Sequence, residues 1–307
     1  MSFLNALPGA VAQGLIWGLM AIGLYISYKI LDIADLTVDG SICTGACVCA
    51  ILVTNGVPIP VAMLLAFLAG ALAGIITGLF HTAMGIPPIL AGILTQLMLW
   101  SINLKILGKA NLSLSARKYD VLLSSLNNIE AIIIGVLFCA AVIVLLWLFF
   151  YTEIGLSIKS TGDNQEMSRA QGINVSLNKV IGLAISNGIV ALSGAILAQY
   201  QGFADINMGR GAIVIGLAAI IIGLSISLKI KPNFVVSLIG VVGGSIIYYI
   251  VYTLVIELGL DTELLKMLSA VVVAIFLAAP YLKKTYFTKK RVHVAAVNEE
   301  NGGNADA

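Results

Sequence analysis

The chain has 307 residues, of which 60% are hydrophobic and 10% charged, with a formal net charge of +2 and a mean hydropathy of +1.04. Soluble domains carry about a quarter of their residues as charges, so a water-exposed globular surface is excluded. Seventeen basic against 15 acidic side chains point to no nucleic-acid partner; the solvent for most of this chain is a lipid bilayer.

A bilayer span needs roughly 20 apolar residues. On that measure the candidates run near residues 11–28, 36–53, 61–80, 86–107 and 129–151, then 180–199, 212–228, 234–256 and 264–282. The expected fold is therefore all-α: a polytopic transmembrane helical bundle of about nine spans. A membrane domain covers 1–284, in halves 1–151 and 177–284 around a polar segment at 152–176. The tail 285–307 has little apolar surface to bury and is expected to be disordered.

The residues before the first span include no basic cluster, so a cleaved signal peptide is not expected. Gly14 and Gly18 in that span, and Gly70, Gly74 and Gly78 in the third, form small-residue ridges that let helices approach closely. Packing within the chain is the expected use, with a seam between two copies as the alternative. Asp35 and Asp39 flank the second span, where an ionised group in lipid costs several kcal/mol. Either can cap a helix start. Cys43, Cys47 and Cys49 lie within that span and read as small packing residues. Pro87 and Pro88 begin the fourth span, where a missing amide donor matters least.

Polar side chains inside spans are candidates for a solute path. They are Gln96, Asn103, Asn187 and Gln199, with Thr95 and Ser186 beside two of them. Asp35 and Asp205 join the candidate path at span ends. Each could instead bond a neighbouring helix, the commoner use in membranes. Few charges on the path suit a small neutral or zwitterionic solute.

Residues 155–179, GLSIKSTGDNQEMSRAQGINVSLNK, interrupt the apolar pattern. Asp163 and Glu166 have capping-box spacing, and Gly172 is a natural helix stop. The short helix between them presents Met167 and Ala170 at three-residue spacing, suited to a groove on another protein.

Basic residues set the orientation. Lys159, Arg169, Lys179, Lys229, Lys231 and the cluster from Lys283 to Arg291 share one side, taken as cytoplasmic. The N-terminus and the acidic loop Glu257, Asp261, Glu263 then face outside. Lys105, Lys109, Arg117 and Lys118 break the bias: either one span is miscounted or, as expected here, they form a basic external docking surface.

A shift of 170 residues superposes Ala34-Asp35-Leu36 on Ala204-Asp205-Ile206 and Gly18 on Gly188. An odd number of crossings separates the copies, the arrangement of inverted repeats in transporters. A secondary transporter would also have such repeats but usually carries a coupling ion-binding residue mid-span. An enzyme is not expected: the two histidines, His81 and His293, belong to no HExxH, and there is no GxSxG.

The segment GLSIKSTGDNQEMSRAQGIN is similar to the coupling loop of ABC importer permeases of the branched-chain amino acid and simple sugar group. The residues that carry the resemblance are Gly155, Gly162, Asp163, Asn164, Ser168, Arg169, Gly172 and Ile173. Residues 31–46 and 85–104 resemble two membrane segments of the same group. Lys159-Ser160 and Gln165-Glu166 depart from its commoner Arg-Ala and Pro-Glu. The resemblance is closest to a branch linked to tryptophan or tyrosine.

That resemblance implies a homodimer of permease copies in the cell membrane, a separate ATP-binding cassette ATPase and an extracytoplasmic solute-binding protein. Gly162, Asp163, Asn164, Glu166, Met167, Arg169 and Gly172 would couple to the ATPase. No cofactor or metal is expected on this chain, which lacks a GxxxxGK[ST] phosphate loop. ATP and Mg would sit on the partner.

Overall fold

A backbone in lipid has no water to bond, so an apolar run satisfies its own amides by coiling. The computed structural model follows that rule over residues 2–115, 118–119, 121–227 and 233–257, with single positions described at 267, 270, 271, 274 and 278. Helices α1 (Ser2–Tyr25), α2 (Val38–Thr54), α3 (Ile59–Thr82), α4 (Pro88–Leu107) and α5 (Asn128–Phe150) come first. Two polar helices follow, α6 (Glu153–Asp163) and α7 (Gln165–Ala170), and then α8 (Val175–Gln201), α9 (Ala212–Ser227) and α10 (Phe234–Glu257).

Among the described residues six helices are long and apolar enough to cross a membrane, and α2 and α9 are shorter apolar helices. The protein is thus an all-α membrane bundle. Met1–Leu260 forms one compact unit and Asp261–Ala307 another. Apart from the single positions above, the expected ninth span lies outside the described residues, as do Lys229, Lys231 and the tail.

Burial sorts the helices. The spans of α1 and α8 are 83% and 72% buried, against 33% for α3 and 28% for α4 and α5. So α1 and α8 form the centre, and α5, with a hydropathy of 3.1, presents its outer face to lipid. The glycine ridges make the central seams. Gly70, Gly74 and Gly78 of α3 lie against Asn187, Leu183 and Val180 of α8, and Gly14 and Gly18 of α1 lie against Ile246 and Val242 of α10. Both ridges therefore serve packing within the chain. A methyl at most of these glycines would meet neighbouring backbone.

The helical pattern breaks at two polar junctions. A π-helical turn, Ile26–Ile30, ends α1, and residues 31–37 continue non-helically to α2. After α8, Gly202 turns the chain at φ +77°, and β2 (Phe203–Asp205) pairs antiparallel with β1 (Asn111–Ser113). Residues 206–211 then turn into α9. This two-stranded pairing fixes the segment after α4, with Lys109 and Lys118, near the C-terminal end of α8, whereas α6 and α7 lead into its N-terminal end. At 1.5 Å per residue the two ends of that 27-residue helix are roughly 40 Å apart. Lys105 lies in the last turn of α4, and Arg117 lies outside the described residues.

Candidate functional site

The polar segment is two helices, where the sequence pattern suggested one. Thr152 caps α6 by accepting the Gly155 amide at 3.2 Å. The α6 side chains that face the bundle are Ile158 and Thr161, with Gly155 packed on the backbone of Phe149 and Phe150. Asp163 closes α6, and Asn164, in an extended conformation, is the cap of α7. Its Oδ1 accepts the Met167 amide at 3.0 Å. The expected capping box from Asp163 to Glu166 is thus displaced by one residue, because Asp163 is already used as the last helical residue of α6. Glu166 instead pairs with Arg169 at 2.9 Å.

Gly172 ends α7 at φ +80°. Its amide bonds to the Arg169 carbonyl at 3.0 Å, and the Ile173 amide bonds to the Ser168 carbonyl at 3.0 Å. This is a Schellman closure, which needs the left-handed conformation glycine adopts without strain. Asp163, Asn164, Glu166, Met167, Arg169, Ala170 and Gly172 all lie at the surface, and Met167 is 58% exposed. The result is a small rigid knob with a thioether at its surface.

The knob is seated firmly. The Ser160 and Ser168 hydroxyls lie 3.0 Å apart and join α6 to α7. Asn178 of α8 donates to Ser157 and Thr161 of α6. Gly162 packs directly on the Ile30 carbonyl and on Leu31, at the start of the 31–37 linker. His81, at the end of α3, holds the same end of the bundle: its Nδ1 is 3.0 Å from the Ile86 carbonyl. A carbonyl only accepts, so Nδ1 carries the proton and Nε2 accepts from Lys179 Nζ at 3.2 Å.

From Ile30 the linker passes through a buried polar cluster. Asp35, 1% exposed, accepts the Thr37 amide at 2.9 Å and the Asn187 side-chain amide at 2.7 Å. Asn187 in turn accepts from the Ser41 hydroxyl at 2.6 Å. Hydroxyls of Thr37, Thr77 and Thr95 form a chain at 2.8 and 2.9 Å that ties the linker to α3 and α4. Buried polar groups satisfied in this way rigidify the interior.

Asp39 makes the next connection. Its two oxygens accept the Gly211 and Ile213 amides, each at 2.9 Å. It therefore caps α9, a helix that starts 173 residues later. Asp205, nearer to α9 in sequence, instead accepts the Asn207 amide at 2.7 Å; six residues separate it from the first turn of α9, too far for its short side chain. Asp35 and Asp205 share the same local bond, to the amide two residues on.

Beside Asp39 lies a cavity of about 140 Å³, bounded by α2, α4 and the 206–210 turn. Gln96 and Asn103 line it, together with Trp100 and Arg210. The structure thus divides the six candidate path residues, of which Gln199 is spent on the Leu122 amide, accepted by its Oε1 at 3.1 Å. Gln96 and Asn103 reach the cavity, Asp35 and Asn187 are committed to one another, and Asp205 sits in the β2 turn. Arg210 and Trp100 were not singled out from sequence; an arginine between two glycines, Gly209 and Gly211, was the available signal.

The chain is thus a membrane helical bundle with an exposed helical knob at one end and a cavity between α2, α4 and the 206–210 turn. Residues 7–279 match the branched-chain amino acid transport system permease component family, and the chain belongs to that family of ABC transporter permeases. It is a multi-pass protein of the cell membrane. It is 40% identical over 275 residues to a tyrosine transport system permease protein of Clostridioides difficile (strain R20291), covering 90% of this chain and 91% of the relative. An uncharacterized protein of Rickettsia prowazekii (strain Madrid E) is 35% identical over 278 residues, 90% of this chain and 98% of its own. An autoinducer 2 import system permease of Enterobacter sp. (strain 638) is 28% identical over 183 residues, 58% of this chain and 51% of its own. No solved structure matches the chain.

Proposed function

We propose that this chain is the membrane subunit of an ATP-driven importer. It moves a small neutral or zwitterionic solute, with an aromatic amino acid favoured, that an extracytoplasmic binding protein delivers. The observation that carries the reading is the seating of the α6–α7 knob on the 31–37 linker through Gly162. An ATPase gripping Met167, Arg169 and the turn at Gly172 would displace α6, and α6 cannot shift toward the bundle without moving Ile30 and Leu31. The linker ends at α2, whose Asp39 holds α9. ATP and Mg²⁺ belong to that ATPase, which supplies the chemical energy; the permease supplies geometry.

The knob end faces the cytoplasm in this reading, and the basic loop around Lys105 faces the binding protein. A homodimer completes the path. An inverted repeat of α1–α3 in α8–α10 is supported by the reciprocal seams of α3 on α8 and α10 on α1, and by the matching turns at Asp35 and Asp205. The 40% identity over nine-tenths of the chain to a tyrosine transport system permease favours an amino acid over the cargo of the autoinducer 2 import permease, which matches 58% of this chain.

Copurification tests the reading. The permease expressed with its genomic neighbours is expected to carry an ATPase subunit, and replacing Arg169 by Ala with Gly172 by Pro is expected to release it. Active uptake without any ATPase would refute the assignment.

A further inference from the structure

We propose that the cavity between α2, α4 and the 206–210 turn is a solute subsite for a phenolic ring, with Asn103 as the partner of its hydroxyl. The proposal deepens the permease reading and rests on it. Asn103 is 0% exposed, it lines the cavity, and among the described residues neither its Oδ1 nor its Nδ2 has a hydrogen-bond partner. Buried amides in folded proteins are paired almost without exception, because a bare one forfeits its hydration without return. The Asp35–Asn187 cluster obeys that rule close by. An unpaired amide lining a cavity therefore suits a ligand group that both donates and accepts.

A phenolic hydroxyl is such a group, and it can form a reciprocal pair with a side-chain amide. The space agrees: a cavity of roughly 150 Å³ admits benzene, and this one measures about 140 Å³. One ring fits, without the rest of an amino acid. Trp100 and Ile206 supply an aromatic and an apolar wall. Trp100 is itself oriented by a 3.4 Å bond from its indole to Asn207 Oδ1. Arg210 borders the cavity and is exposed, so its guanidinium can take a carboxylate in bidentate fashion. Asp39 has both oxygens engaged by the α9 amides and acts as scaffold. A tyrosine-like solute would place its ring inside, its hydroxyl on Asn103 and its carboxylate toward Arg210.

The test uses proteoliposomes containing the permease, its ATPase and its binding protein, and reads tyrosine carried per ATP hydrolysed. Asn103→Leu removes both hydrogen-bonding groups at similar volume and is expected to lower that ratio at least tenfold. Trp100→Ala, on an exposed wall, is expected to lower it at least fivefold and serves if the Asn103 variant fails to assemble. A ratio within threefold of wild type in either assembled variant overturns the subsite. So does a wild type that carries leucine as efficiently as tyrosine, because an aliphatic solute has no hydroxyl for Asn103. A wild type with no ATP-dependent uptake of any amino acid sinks the underlying permease reading instead.

Discussion

Asp39→Asn changes a single oxygen for an NH₂ group and leaves the side-chain shape almost intact. In the native protein the two Asp39 oxygens divide the Gly211 and Ile213 amides, each at 2.9 Å. Asparagine has one acceptor oxygen, so one amide of the α9 entry loses its partner and faces a second donor. A hydrogen bond to a charged group contributes about 1.5–3 kcal/mol. Removing the anion from a helix N-terminus costs a further 0.3–1 kcal/mol or so. Together the expected loss is roughly 2–4 kcal/mol, and since about 1.4 kcal/mol is a factor of ten, the state with α9 released from α2 rises some 30- to 700-fold. Hydrogen exchange of peptides covering residues 210–216 in detergent measures that release directly, because local opening governs amide exchange. Exchange within threefold of wild type would refute the role of Asp39 as the tie between the two helices.

Three further outcomes are expected. Gly162→Ala places a methyl into the Ile30 carbonyl and 3.0 Å from the Leu31 Cα; overpacking of this kind costs about 1–3 kcal/mol. Uptake per ATP should fall while the ATPase still copurifies, and unchanged coupling would count against the seating argument. Asn187→Leu strips a donor from buried Asp35 and an acceptor from Ser41, a loss of about 3–5 kcal/mol. A clear drop in the thermal aggregation midpoint is expected, and an unshifted midpoint would contradict it. Ser113→Cys and Ser160→Cys should react with a membrane-impermeant maleimide from opposite faces, with little background from the four buried native thiols; labelling from one face would break the proposed topology.

Local chemistry was readable where it depends on neighbours in sequence. Apolar runs marked α3, α4, α5 and α10 to within a few residues, and Gly172 marked the end of α7 because only a left-handed residue closes that helix. The glycines of α1 and α3 announced close approach, though not which helix approaches. What stayed hidden depends on distance along the chain. Asp39 reads as a cap for its own helix, and nothing near it in sequence indicates that the amides it serves are 172 and 174 residues away. The cap of α7 was off by one, since Asp163 and Asn164 are equally able acceptors and only the prior termination of α6 decides between them. Amides inside spans were legible as residue types, but whether one is spent on a neighbour, as Asn187 is, or left bare, as Asn103 is among the described residues, is a property of packing.

The linker at 31–37 is held at one end by Gly162 and at the other by a helix clasped through Asp39. Protein interiors are nearly incompressible, so such a segment has no slack to absorb a push. Thermodynamic linkage makes the effect mutual: if grasping the knob changes affinity for a solute, an occupied cavity must change affinity at the knob by the same factor. On the proposed reading, a partner at the knob would then bind a loaded and an empty permease with different affinity.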